Sequence, residues 1–200
     1  MASSSRTGEA LSLSRRILIT GGARAGKSRF AQRLAEQGAY RRRLYVATAV
    51  ACDPEMRNRI ARHRKERGRC AEAPGAASAS RSRKWETLEE PLRLPDRLPL
   101  KKIQSPSVFL LDCFPTFLTN LLLEQESRTD ILRRFDRLFQ ACRRPGLTVV
   151  WVTNEVGLGL VPDHALGRQF RDLLGEINQQ AAAAADEVYL LVAGLPARLK

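Results

Sequence analysis

The chain has 200 residues, 44% of them hydrophobic, and a formal net charge of +13. That length suits one domain with an ample core, the composition excludes a disordered or fibrous chain, and no apolar run is long enough to span a bilayer. The excess of arginine invites a nucleic-acid partner. However, the basic clusters at Arg41–Arg43, 57–69 and 81–84 carry no interleaved aromatic residues to stack bases, so the charge is read as serving anionic phosphates, with no nucleic-acid partner expected.

Residues 1–14 are polar and lack the hydrophobic core of a secretory signal. They are read as a disordered leader, with residues 15–200 forming a single P-loop nucleotide-binding catalytic domain. Ile17, Leu18 and Ile19 form a short apolar run of the kind a buried strand needs. The next eight residues, Gly21, Gly22, Ala23, Arg24, Ala25, Gly26, Lys27 and Ser28, match G-x-x-x-x-G-K-[ST]. Glycines let the backbone wrap a phosphate chain with N–H groups inward, Lys27 reaches the β/γ-phosphates, and Ser28 ligates Mg2+. Arg29–Glu36 then has helix propensity, with Phe30 and Leu34 spaced i,i+4. Strand, glycine loop and helix in that order separate a nucleotide site from a chance match.

Residues 41–48 read as a second strand, and Ala49–Cys52 as a loop. Asp53-Pro54-Glu55 starts a helix to about Arg67, with Asp53 as N-cap and Pro54 at the first helical position. Met56, Ile60, His63 and Arg67 share one face of it. Positive charge around His63 favours neutral imidazole, the nucleophilic form, and such a group can attack phosphorus and split a nucleotidyl transfer into two steps. Nothing in the spacing compels that role over a structural one. Residues 69–84 are small and polar and read as a mobile loop or insertion. Trp85–Pro91 is a short strand or turn, and residues 92–106 suggest a short helix interrupted by Pro95 and Pro99.

Ser107–Cys113 is a continuous apolar run ending in Asp112, the pattern of a strand buried on both faces. A carboxylate at its end suits the metal-holding acid of a nucleotide site; the alternative is that Asp112 caps the next helix. Helices are expected at 117–123, 131–142 and over most of 162–186, and strands at 147–152 and 187–192, with Gly194-Leu195-Pro196 turning out of the last. Thr153, Asn154 and Glu155 follow a strand, so they either face a ligand or make local turn bonds. His164 sits at a helix start and is read as structural. The four cysteines, Cys52, Cys70, Cys113 and Cys142, contain no C-x-x-C pair, which argues against zinc or disulfides and for free thiols in a reducing cytoplasm. Five apolar strand candidates alternating with helices predict an α/β fold, a mostly parallel central sheet with helices on both faces.

Together the motifs resemble one family: the bifunctional adenosylcobinamide kinase / adenosylcobinamide-phosphate guanylyltransferases of cobalamin biosynthesis. The resemblance rests on I-T-G-G-A-R-A-G-K-S at 19–28, Y-V-A-T-A at 45–49, D-P-E-M-x-x-R-I-x-x-H at 53–63 and W-E-T-L-E-E-P at 85–91. It continues in L-L-D-C at 110–113, L-T-N-L-L at 118–122 and V-T-N-E-V-G-L-G-L-V-P at 152–162. It implies a RecA-like P-loop fold, a homotrimer, and two activities. One phosphorylates adenosylcobinamide with a nucleoside triphosphate (ATP or GTP); the other transfers GMP from GTP through a guanylyl-histidine to give adenosylcobinamide-GDP. The family's histidine falls on His63. Its nucleotide contacts fall on Gly21–Ser28, Ala47, Thr48, Ala49, Arg64, Lys65, Glu66, Arg67, Glu89 and Asp112, with Ser28 and Asp112 as Mg2+ ligands. Two departures stand out: Gly68 follows Arg67 where the family has proline, and Trp85 is delayed by residues 69–84. The competing reading is a P-loop small-molecule kinase with no histidine intermediate.

Overall fold

The computed structural model describes residues 14–50, 85–103 and 106–200. The helix expected over Asp53–Arg67, with His63, Arg64, Lys65, Glu66 and Arg67, and the loop at 69–84 lie outside the described residues. So does most of the 1–14 leader; Ser14 is described, and its hydroxyl accepts a hydrogen bond from the Gly146 amide at 2.6 Å.

Seven strands form one sheet: β1 (Arg16–Gly21), β2 (Arg42–Ala47), β3 (Glu86–Glu89), β4 (Ser107–Asp112), β5 (Leu147–Val152), β6 (Glu187–Val192) and β7 (Leu195–Arg198). Their order is β3-β2-β4-β5-β1-β6-β7. Every pairing is parallel except β6 with β7. The central strands are runs of Val, Ile and Leu because both their faces are covered; all six residues of β5 are buried. The parallel α/β architecture expected from the alternating pattern is thus present. β5 lies between β1 and β4, so one strand separates the glycine loop from Asp112.

The expected turn after β6 is instead a hairpin. Ala193 and Gly194 both take left-handed backbone, at φ 51° and 84°, the conformation of a two-residue turn that matches strand twist. β7 then pairs as an edge strand. Among the described residues of 92–106 the expected short helix is also absent. The Glu90 carboxylate accepts from the amides of Leu92 and Arg93, at 3.2 and 2.8 Å, tying that chain into turns, and only Leu100–Lys102 forms a 3-10 turn.

Among the described residues, α1 (Lys27–Gln37) covers one face of the sheet. The opposite face carries α2 (Phe114–Leu123), α3 (Arg128–Ala141) and α4 (Ala165–Ala184). Pro115 opens α2, where a missing N–H costs nothing. Ser127 caps α3, its hydroxyl accepting from the Asp130 amide at 3.1 Å. The thicker side is an aromatic core. Phe114 meets Phe135 edge-on at 5.3 Å, and Phe139 meets Trp151 at 5.0 Å between centroids. On the other side, alternate strand residues Ile17, Ile19, Leu110, Val150 and Val152 pack against Ala31 and Ala35 of α1. Small alanines there let the helix lie close to the sheet. Both layers fix the carboxyl ends of β1, β4 and β5 at one edge. Among the described residues no helix is long and apolar enough to cross a membrane.

Candidate active site

The site begins where β1 ends. Gly21 has φ 143°, and a Cβ there would meet the Leu191 carbonyl oxygen at 2.3 Å. Only glycine lets β1 pass this close to β6 before the chain turns. Arg24 and Gly26 then adopt left-handed backbone at φ 59° and 89°, curling the loop back to α1. Gly22, Ala23, Arg24 and Gly26 are exposed, whereas Ala25 and Ser28 are half-buried. Gly26 is the N-cap of α1, with no side-chain cap and no acid in the first turn. The positive end of the α1 dipole therefore lies at the glycine loop, where it favours an anion.

Lys27 is buried at 7% exposure, and its Nζ donates to the Gly22 carbonyl at 2.6 Å. That bond folds the ammonium back over the loop it follows. Asp112 ends β4 half-buried, and its Oδ2 accepts from the Tyr45 hydroxyl at 2.7 Å. Asp112 does not cap α2: the N-cap is Cys113, without a side-chain hydrogen bond. Its carboxylate is held instead by a tyrosine from the neighbouring strand.

Burial first, then the adjacent Asp112 carboxylate, push the Cys113 thiol up to about 11. Because β1, β5 and β4 are parallel neighbours, the glycine loop after β1 and Asp112 at the end of β4 open on the same edge of the sheet, one strand apart. A lysine-bearing loop and an acid on one sheet edge are what a polyphosphate with a metal requires.

The end of β2 supports this edge. Thr48 is fully buried; its Oγ1 donates to the Cys113 carbonyl at 2.9 Å and accepts from the Cys113 amide at 3.1 Å. Its hydroxyl is thereby committed to the junction after Asp112. Asn120 of α2 donates to the carbonyls of Thr48 and Pro91, at 2.8 and 3.0 Å. Ala47 and Ala49 flank Thr48, half-buried, and Ala47 pairs with Glu89, which is exposed at the end of β3. Past β5, Thr153 Oγ1 donates to Asn178 Oδ1 of α4 at 2.7 Å, a bond across to the helix layer. Glu155 Oε1 accepts locally from the Gly157 amide at 2.7 Å. His164 is the N-cap of α4, its Nδ1 accepting from the Gly167 amide at 2.9 Å.

The structure therefore places Gly21–Ser28, Thr48 and Asp112 along the carboxyl-end edge of the parallel strands. Tyr45 and Asn120 were not singled out from the sequence, although both sit inside the quoted motifs Y-V-A-T-A and L-T-N-L-L. Their side chains bind across strands, which no spacing reveals. For a metal, the Ser28 hydroxyl and the Asp112 carboxylate are hard oxygen donors. Among the described residues no group of three or more His, Cys, Asp or Glu gathers. Hard oxygen donors of this kind are what Mg2+ takes, one or two carboxylates together with water and phosphate oxygens.

The sheet order, the uncapped glycine loop and the acid one strand away define a P-loop nucleotide-using enzyme with a RecA-like core. A solved structure described as "Structural study of Project ID PH0250 from Pyrococcus horikoshii OT3" shares the fold. Its TM-score is 0.53 at 7% identity, covering 97% of this chain and 91% of that one. The model of the family "Cobinamide kinase / cobinamide phosphate guanyltransferase" matches residues 17–74 and 75–199. The chain belongs to that family. It is 40% identical over 196 residues to the bifunctional adenosylcobalamin biosynthesis protein CobU of Escherichia coli K12, covering 92% of this chain and 99% of that protein. It is also 40% identical over 186 residues to the bifunctional adenosylcobalamin biosynthesis protein CobP of Pseudomonas aeruginosa, covering 92% and 97%. The kinase and guanylyltransferase pairing expected from the motifs is the family's own; a kinase without guanylyl transfer is not favoured.

Proposed function

We propose that the chain phosphorylates adenosylcobinamide with ATP or GTP and then transfers GMP from GTP to the phosphate, giving adenosylcobinamide-GDP. The observation carrying this is that the Gly21–Ser28 loop and Asp112 lie on one edge of the parallel sheet, a single strand apart, in a chain whose family performs both reactions.

In the first reaction the substrate hydroxyl oxygen attacks the γ-phosphorus, the bond from that phosphorus to the β–γ bridging oxygen breaks, and the nucleoside diphosphate leaves. The hydroxyl proton passes to solvent. Gly21–Ser28 hold the triphosphate through backbone N–H groups, and Lys27 offsets charge on the β- and γ-oxygens. Ser28 and Asp112 would hold Mg2+, with Tyr45 orienting the carboxylate. When bound, the ion neutralises phosphate charge.

In the second reaction a ring nitrogen of His63 attacks the α-phosphorus of GTP and pyrophosphate leaves, forming a phosphoramidate. A phosphate oxygen of the acceptor then attacks the same phosphorus, the P–N bond breaks, and the phosphoanhydride forms. Arg64, Lys65, Glu66, Arg67, Ala47, Thr48, Ala49 and Glu89 complete the nucleotide contacts in this reading. Residues 15–200 act as one catalytic unit, assembled as a homotrimer in the cytoplasm. The free thiols of Cys113 and Cys142 are in keeping with that compartment.

Incubation with α-labelled GTP tests the scheme. Acid-labile, alkali-stable label appears on the parent and is absent from His63→Ala, which retains kinase turnover. Lys27→Ala loses both activities. An active guanylyltransferase carrying no label would overturn the histidine step.

A further inference from the structure

The hairpin turn at Ala193–Gly194 carries none of the residues assigned to the chemistry, yet it touches the phosphate loop directly. The Gly194 amide donates to the Ala25 carbonyl at 3.2 Å. A Cβ built on Gly26 would meet the Gly194 Cα at 3.5 Å, so the hairpin turn lies within about one side-chain atom of the loop. One turn of helix further on, Phe30 of α1 packs edge-on against Tyr189 of β6 at 5.3 Å. The β6–β7 hairpin thus braces the loop where it enters α1.

The bond to Ala25 has a directional consequence. A trans peptide unit is planar, with its C=O and the following N–H pointing in opposite directions, and the Ala25–Gly26 bond is trans. With the Ala25 carbonyl turned toward the hairpin, the Gly26 N–H points away from it. We infer that the Gly194 amide sets the Ala25–Gly26 peptide plane and so aims the Gly26 N–H at the nucleotide phosphates. That makes the hairpin turn a positioning element for the phosphate loop. Gly194 holds the left-handed conformation this requires, at φ 84°. Its neighbour Ala193 holds the same region at φ 51°, where alanine is disfavoured and Asn or Gly is usual.

The test uses MgADP alone, so its outcome is independent of the corrinoid acceptor and of His63. A Cβ at Gly194 meets nothing within 4 Å, so a substitution there acts through backbone conformation and not through a clash. Gly194→Val, β-branched and averse to the left-handed region, weakens MgADP binding about tenfold or more, the effect of misaligning a donor to a charged phosphate. Gly194→Asn, which tolerates that region, binds within about twofold of the parent. The shift of the Gly26 amide resonance on adding MgADP persists in the asparagine variant and collapses in the valine variant. If Gly194→Val does not fold, Gly194→Ala is read in its place. A folded valine or alanine variant that binds MgADP like the parent overturns the inference, whatever its melting temperature. So does an asparagine variant that loses as much affinity as valine.

Discussion

Gly21→Ala separates two reasons for the first glycine of the phosphate loop. The motif alone assigns it to the phosphates, whereas the structure assigns it to the approach of two strands. A Cβ at Gly21 would sit 2.3 Å from the Leu191 oxygen and 3.1 Å from the Leu191 nitrogen. Both are backbone atoms of the residue paired with it in register, so no side chain can rotate away. Relief requires β1 and β6 to part by about 1 Å, an overpacking that costs about 1–3 kcal/mol. The φ of 143°, which side-chain-bearing residues rarely adopt, adds about 1–3 kcal/mol more. Roughly 4 kcal/mol is a large share of a domain's stability. For a chain of this size it corresponds to a melting temperature lower by about 8–16 °C. Gly22→Ala is the matched control: a Cβ there meets nothing within 4 Å, and its melting temperature stays within about 2 °C. Thermal unfolding followed by circular dichroism reads both. A Gly21→Ala protein that melts with the parent would refute the packing account and return the glycine to the phosphates alone.

Tyr45→Phe removes the donor to Asp112 and frees the carboxylate to rotate; kinase kcat falls several-fold with the melting temperature nearly unchanged, as steady-state kinetics and a thermal melt would show. Trp151→Ala opens the aromatic core beside Phe114 and Phe139 and costs about 3–5 kcal/mol in a denaturant titration. Asp186 accepts from the Arg16 side chain and amide, bonds that hold its carboxyl below the usual range. Its contribution is therefore complete above the unfolded value of about 3.9 and lost as pH falls through the lower folded value. Asp186→Asn flattens that acid limb by about 1 kcal/mol or less, because the pair is partly solvated. In a Cys52→Ser/Cys70→Ser background, Cys113 at about 11 and Cys142 at about 12 are almost wholly protonated at pH 8. A disulfide reagent modifies them at least a hundredfold more slowly in the folded protein than after unfolding.

Local pattern settled much of this protein. The apolar runs at 17–19, 107–112 and 147–152 are central strands because a strand buried on both faces has little room for polar residues. The G-x-x-x-x-G-K-S spacing marked the loop because its geometry is formed by consecutive residues. The turn at Gly194 was legible but the hairpin β6–β7 was not, since Ala193 is an unusual first residue for a two-residue turn and β7 is a four-residue exposed strand. Nor was the role of Tyr45 or Asn120, whose partners lie 67 and 72 positions away. The quoted motifs contained both residues but could not say what they bind. Strand order, too, was decided only in three dimensions: it sets β5 between the glycine loop and Asp112 and opens both on one edge of the sheet. Residue type and spacing announce which groups a site owns; the distances between them depend on which strands become neighbours, which is a property of the whole sheet.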